Sequence, residues 1–255
     1  MAFIPTMGAL HEGHLSLIAA ARRKGCTTLA SIFVNPRQFN NPDDLLHYPR
    51  TITDDIRLLA AAGCDAVFIP EPDQVFAAGT EIPPLDLGFL AERFEGSFRP
   101  GHFRGVTDVL WSLFQLIQPQ QVYFGAKDFQ QCMVVKKLLD VHFPKVQMYM
   151  VPTMREADGL AMSSRNRRLS DAARAAAPVI FQALQEICTH KHSLPLNTAL
   201  EKARSMLLSH HVETEYLELA VPANLDILND WHEEPTVLLF AGYLDGVRLI
   251  DNLMC

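Results

Sequence analysis

Two histidines three residues apart, His11 and His14, lie in Pro5-Thr6-Met7-Gly8-Ala9-Leu10-His11-Glu12-Gly13-His14, between a short apolar run and a helix-period stretch. Free N–H groups at a helix start attract an anion, and residues three apart share a helical face. Both imidazoles are therefore placed to donate to phosphate oxygens. Gly13 between them lets a flat ring approach the backbone. The plain alternative is a helix cap with two surface histidines. Zinc is disfavoured, because the zinc-protease pattern needs histidines at i and i+4.

Three further polar clusters stand at comparable junctions. Asn35 and Gln38, in Asn35-Pro36-Arg37-Gln38, offer neutral donors and acceptors that suit a hydroxylated acid. Asn-Pro is equally an ordinary turn initiator. Gly125-Ala126-Lys127-Asp128 combines a tight turn, a mobile cation for phosphate and a capping carboxylate, with Gln131 one turn further on. A plain capped βα loop has the same make-up. Met162-Ser163-Ser164-Arg165-Asn166 puts two hydroxyls and a guanidinium in a short loop. That set suits a triphosphate under a closing loop, or a solvated polar linker.

Positioning these clusters requires an alternating framework. Strand-like runs over 2–5, 27–34, 66–69, 122–124 and 146–151 alternate with helix-period stretches over about 14–24, 53–62, 106–117 and 128–142. Such alternation predicts an α/β, Rossmann-like doubly wound parallel sheet, which binds ligands beyond the carboxyl ends of its strands. After residue 151 the pattern changes. Helical stretches over about 171–190, interrupted at Pro178, and 198–210 precede strands over 213–220, 236–244 and 247–253. Asp245-Gly246 between the last two is a type I′ hairpin signal. A smaller C-terminal α+β domain with a three-stranded antiparallel sheet is therefore expected over 154–255, after a nucleotide-binding domain over 1–153.

The 255 residues carry 22 basic and 29 acidic side chains, a net charge of −7, and 49% hydrophobic residues. A chain this apolar is not mainly disordered. Its acidic balance argues against nucleic acid as a partner, since phosphate neutralisation needs clustered Lys and Arg. No apolar stretch approaches the ~20 residues of a membrane-spanning helix. The first residues lack a signal-peptide pattern, so a cytoplasmic location is expected. Cys26, Cys64, Cys132, Cys188 and Cys255 are odd in number and scattered, which suits reduced thiols.

The ordered set of motifs resembles the pantoate–β-alanine ligase (pantothenate synthetase) family over residues 4–252. The resemblance rests on Pro5-Thr6-Met7-Gly8, His11-x-Gly13-His14, Phe33-Val34-Asn35-Pro36-x-Gln38-Phe39 and Tyr48-Pro49-Arg50-Thr51. It continues through Arg99-Pro100-Gly101-His102-Phe103-Arg104-Gly105-Val106, Lys127-Asp128-Phe129-Gln130-Gln131, the segment from Asp158 to Asn166, and Leu249-Ile250-Asp251-Asn252. It implies kinship with class I aminoacyl-tRNA synthetases and nucleotidylyltransferases, and a two-step ligation. Pantoate attacks the α-phosphorus of ATP to give pantoyl adenylate, and β-alanine then displaces AMP. Magnesium accompanies the nucleotide, and a homodimer is expected.

Carried over position by position, the resemblance makes His14 catalytic, with His11 and Lys127 stabilising charge. Met7, Gly8, His11, Gly13, His14, Gly125, Lys127, Asp128, Met154, Met162, Ser163, Ser164 and Arg165 would hold ATP. Asn35, Gln38 and Gln131 would bind substrate, with Gln38 also meeting β-alanine. Asp54 and Asp55 fall where the family has acidic residues near the metal, although a helix-start position explains them equally as caps. No general base for the amide step is evident. His102 could help, against a structural hydrogen bond in its own turn. Ala126 replaces a common Glu. Asp108 replaces a common Thr, and its charge is expected to raise KM for the anionic pantoate. Only three residues follow Met1 before Pro5, so either a short first strand or a trimmed N-terminus is expected. Rival readings are a nucleotidylyltransferase, a non-catalytic nucleotide-binding regulator and a truncated aminoacyl-tRNA synthetase.

Overall fold

The apolar runs of the first half become a parallel sheet because helical crossovers between them carry the chain back over the sheet. The computed structural model describes residues 1–40, 42–191 and 193–255 and divides into two compact units, Met1–Thr153 and Met154–Cys255. In the first unit the elements run β1 (Ala2–Thr6), α1 (Glu12–Arg23), β2 (Thr28–Ile32), α2 (Pro42–Leu46), α3 (Ile52–Ala61), β3 (Ala66–Phe68) and α4 (Pro72–Val75). They continue with α5 (Glu95–Phe98), α6 (His102–Ile117), β4 (Gln121–Gly125), α7 (Phe129–His142) and β5 (Gln147–Val151). The sheet order is β3-β2-β1-β4-β5, with every pairing parallel. This is the expected doubly wound fold. Its strand order reverses between β1 and β4, which makes their carboxyl ends the topological switch point.

Pro5 shapes that point. Ala2 donates its N–H to Thr27 and Thr6 accepts from Phe33, so the even residues of β1 bond toward β2 and the odd ones face β4. A proline facing β4 has no N–H to give. The ladder between β1 and β4 pairs only Ala2 with Gln121 and Phe3 with Val122, so the strands are unpaired where their loops begin. The first strand has five residues and pairs along its whole length with β2.

On one face, Leu17, Ile18 and Ala21 of α1 pack with Ala2, Ile4, Ala30, Ile32, Leu59 and Tyr123. On the other, the buried Phe3 ring meets Phe114 of α6 edge-on at 6.2 Å. α4 and α5 lie in a stretch with no clear periodicity. Gln130 of α7, 4% exposed, holds α5 there by accepting from Glu95 N at 3.0 Å and donating to Leu90 and Arg93 carbonyls at 2.9 and 2.8 Å.

The second unit contains α8 (Asp171–Ala176), α9 (Val179–Thr189), α10 (Leu196–Ser209), β6 (Glu213–Ala220), β7 (Val237–Leu244) and β8 (Val247–Met254). The break between α8 and α9 falls at Pro178, as its missing N–H requires. The strands form an antiparallel sheet in the order β6-β7-β8, with Asp245 (φ 54°) and Gly246 (φ 69°) giving the type I′ turn. Leu184, Ile187, Leu200, Ala203 and Leu207 of the helices pack on Leu217, Leu219, Leu238 and Phe240 of the sheet.

One expectation is corrected here. Cys188 and Cys255 are not separate thiols but a disulfide, with Cα atoms 5.6 Å apart across 67 residues of chain. Sequence spacing gives no hint of it, because only the packing of α9 against the end of β8 brings the two together. Cys26, Cys64 and Cys132 are free thiols. No helix among the described residues is long and apolar enough to cross a membrane.

Candidate active site

The loop after β1 starts α1 with a reciprocal cap. His11 is the N-cap, and its Nδ1 accepts from Gly13 N at 3.2 Å; His14 Nδ1 accepts in turn from His11 N at 3.3 Å. The rings lie 4.1 Å apart, centroid to centroid. The plain capping role and the phosphate role thus use different atoms. With each Nδ1 accepting, the neutral ring carries its proton on Nε2, and each imidazole is an Nε2–H donor.

Beside this loop lies the one after β2. Asn35 is 1% exposed, caps the turn Pro36–Gln38 through Arg37 N at 3.1 Å, and donates Nδ2 to Gln38 Oε1 at 3.0 Å and Gly105 O at 2.9 Å. Asn35 therefore fixes the carboxamide of Gln38, whose Nε2 meets Met7 Sδ at 3.0 Å. The approach is close enough to require glycine in α6, since a Cβ on Gly105 would stand 2.2 Å from Arg37 O. His102 donates Nδ1–H to Gln38 O at 2.7 Å, and its Nε2 accepts from Arg99 at 3.2 Å. It is 6% exposed and structural, bonded within its own Arg99–His102 turn as expected and also to the neighbouring loop.

After β4, Gly125 leads through a 3-10 turn, Ala126–Asp128, into α7. Lys127 Nζ stands 3.5 Å from Asp128 Oδ1. Asp128 makes no side-chain cap to α7, contrary to expectation. Gln131 lies in the first turn of α7. Behind the loop, the Cys132 thiol contacts Gly125 O at 3.4 Å, and burial pushes its pKa far up, with a smaller contribution from Asp128. The β1 and β4 loops thus flank the switch point, and the β2 loop adjoins them.

In the second unit, Arg155 and Ala161 bridge a short hairpin, and Met162 N donates to Met154 O at 3.0 Å. Ser163 caps the turn Ser164–Arg168, accepting from Arg165 N at 3.3 Å, and Ser164 is buried. The hairpin is tied to β8 by Arg155, whose guanidinium makes a two-point ion pair with Asp251 at 2.7 and 2.9 Å. Arg155 and Gln130 carry structural work that sequence reading did not assign. Gln130 and Asp251 lie inside motifs that carry the resemblance, and Arg155 just ahead of one, which was the available signal.

Asp54 and Asp55, adjacent in sequence, have different surroundings: Asp54 is exposed on Arg57 at 3.0 Å, whereas Asp55 is 1% exposed with both oxygens bonded within the protein. Among the described residues no cluster of three His, Cys, Asp or Glu could hold a metal. Asp108 does not present a bare charge, because Arg37 at 3.3 Å and Arg104 at 2.8 Å both pair with it. The expected penalty on pantoate binding loses its physical cause.

Comparisons with known proteins agree with this architecture. The family model described as pantoate-beta-alanine ligase matches residues 1–254. A pantothenate synthetase from Cereibacter sphaeroides is 48% identical, covering 98% of this chain and 90% of the relative. The crystal structure of pantothenate synthetase from Thermus thermophilus superposes with a TM-score of 0.92 at 41% identity, covering 99% of this chain and 92% of the other. A Francisella tularensis pantoate-beta-alanine ligase, complexed with beta-gamma ATP and beta-alanine, gives a TM-score of 0.84 at 34% identity, covering 99% and 88%. This chain belongs to the pantoate–β-alanine ligase family.

Proposed function

We propose that this chain condenses pantoate with β-alanine at the expense of ATP, through a pantoyl adenylate, releasing pyrophosphate and then AMP. The observation that carries the reading is the pair of Nε2–H imidazoles, His11 and His14, at the switch point where the Lys127 loop also emerges. A carboxylate attacking phosphorus needs little covalent help, so positioning and charge stabilisation supply the catalysis. His14, His11 and Lys127 oppose charge developing on the phosphates. The remaining ATP contacts are assigned to Met7, Gly8, Gly13, Gly125 and Asp128, and in the second unit to Met154, Met162, Ser163, Ser164 and Arg165. Gln131 and the Gln38 amide, fixed by Asn35, hold pantoate, and Gln38 also meets β-alanine. The adenylate is already activated, so a free amine held at its carbonyl completes the second step without a dedicated base.

Magnesium enters with the triphosphate as part of the substrate. Asp54 and Asp55 do not fit a protein-held ion, and no step is drawn through one. The cytoplasmic location and the homodimer rest on family membership alone, and light scattering reads the second. The functional test is pantoate-dependent exchange of labelled pyrophosphate into ATP. His14→Ala and Lys127→Ala are each expected to slow it at least ~10²-fold, the scale for removing a charge-stabilising group. Rates like the parent protein's would remove these residues from the mechanism. Gln131→Ala is expected to raise KM for pantoate chiefly, and an unchanged KM would sink that assignment.

A further inference from the structure

Asp55 lies in the first turn of α3 but spends its carboxylate on the loop after β1. Its Oδ2 accepts from Ala9 N at 3.0 Å, and its Oδ1 accepts from Leu10 N at 2.8 Å and the Thr51 hydroxyl at 3.2 Å. Gly8 and Ala9 have φ of 78° and 50°, both left-handed. Consecutive N–H groups in such a turn converge into a concavity that holds an anion. Here the anion is the protein's own carboxylate. A Cβ on Gly8 would stand 2.9 Å from Asp55 Oδ2, so the turn and the carboxylate fit only with glycine there.

This arrangement changes which groups in the loop can meet a phosphate. The amides of Ala9 and Leu10 are spent on Asp55, so phosphate recognition in this loop falls to groups beyond them, beginning with the His11 and His14 rings. Leu10 runs directly into the N-cap His11, so whatever fixes Leu10 N also fixes the direction in which the capping box leaves the sheet.

We propose that Asp55 is a positioning residue for adenylate formation, holding the Gly8–Leu10 turn so that His11 and His14 are aimed, and that it is not a metal ligand. Its catalytic consequence rests on the function proposed above; its structural part does not. In Asp55→Asn the amide NH2 must face one of the two N–H donors, so one anchor is lost while size is kept.

The test reads ring nitrogen signals of His11 and His14 by 15N NMR without substrate, and then pyrophosphate exchange at varied free magnesium. In Asp55→Asn both rings are expected to lose their uniform Nε2–H form. The exchange rate is expected to fall about 10- to 100-fold, the scale of a misplacement near 1 Å. Magnesium giving half the maximal rate should stay within about twofold of the parent value on this account. Unchanged ring signals would overturn the proposal, as would a tenfold higher magnesium requirement, the mark of a lost ligand. Should Asp55→Asn not fold, Thr51→Val removes one bond to the same carboxylate. Displaced ring signals in it support the anchor, and ring signals identical to the parent's overturn it. Absence of exchange in the parent protein would refute the proposed function and leave the ring signals to decide the anchor.

Discussion

Replacing Asp251 by Asn breaks a buried two-point ion pair of the second unit. Asp251 has 2% of its side chain exposed and Arg155 17%, and the two meet at 2.7 and 2.9 Å. Removing one partner of a buried pair costs about 3–5 kcal/mol, because the other charge is left uncompensated. Arg155 keeps the Gly159 and Asn252 carbonyls at 3.1 and 3.3 Å and the Phe181 ring at 3.7 Å, together with some water. These partners reduce the expected loss to about 2–3 kcal/mol. At about 2–4 °C per kcal/mol for a chain of this size, Tm should drop by roughly 4–12 °C. The hairpin that Arg155 anchors runs into Met162 and Ser163, so KM for ATP should rise more than KM for pantoate. Calorimetry and steady-state kinetics read the two effects. The double variant Arg155→Met, Asp251→Leu should recover much of the Tm but not the affinity for ATP. A Tm within about 2 °C of the parent, with unchanged KM for ATP, would refute this reasoning.

A thiol count without reductant should find Cys26 and Cys64 reactive in the native protein, Cys132 only after unfolding, and Cys188 and Cys255 only after reduction; five thiols before reduction would mean the pair is open. Closing a 67-residue loop is worth roughly 4 kcal/mol by chain entropy, so Cys188→Ser should lower Tm clearly, and an unaltered Tm would contradict this. Asn35→Asp turns a donor into an acceptor facing Gln38 Oε1 and Gly105 O, and should raise KM for pantoate about tenfold or more, the scale of a lost buried hydrogen bond. Asp65 is held below the usual carboxylate range by the Thr28 N–H and then the Thr28 hydroxyl. Its native pKa is depressed, so its contribution to stability is present above the unfolded value near ~4 and is lost as pH falls through the native value. Thr28→Val should move the Asp65 carboxyl titration upward by NMR, and an unmoved titration would exclude the hydroxyl's share.

The strands and main helices were legible because their residues repeat at the periods the backbone imposes, down to the break at Pro178 and the Asp245-Gly246 turn. α4 and α5 were not, since they are single turns held by partners such as Gln130 from a distant helix. The site loops were legible as compositions at strand ends. What sequence could not supply was the division of labour inside them. His11 and His14 cap and donate with different nitrogens, Asn35 serves Gln38, and the Asp55 carboxylate accepts from the loop after β1. Most of these depend on contacts between side chains and backbone that no local pattern encodes, and the Asp55 anchor and the Cys188–Cys255 bond join residues far apart in the chain.

The central claim is that a pantoate oxygen attacks the α-phosphorus of ATP and leaves with AMP. Pantoate labelled with 18O in its carboxylate, incubated with the protein, ATP, magnesium and β-alanine, should yield AMP carrying one 18O, and pantothenate that has lost one. AMP without label, or ADP and phosphate as the nucleotide products, would contradict the account.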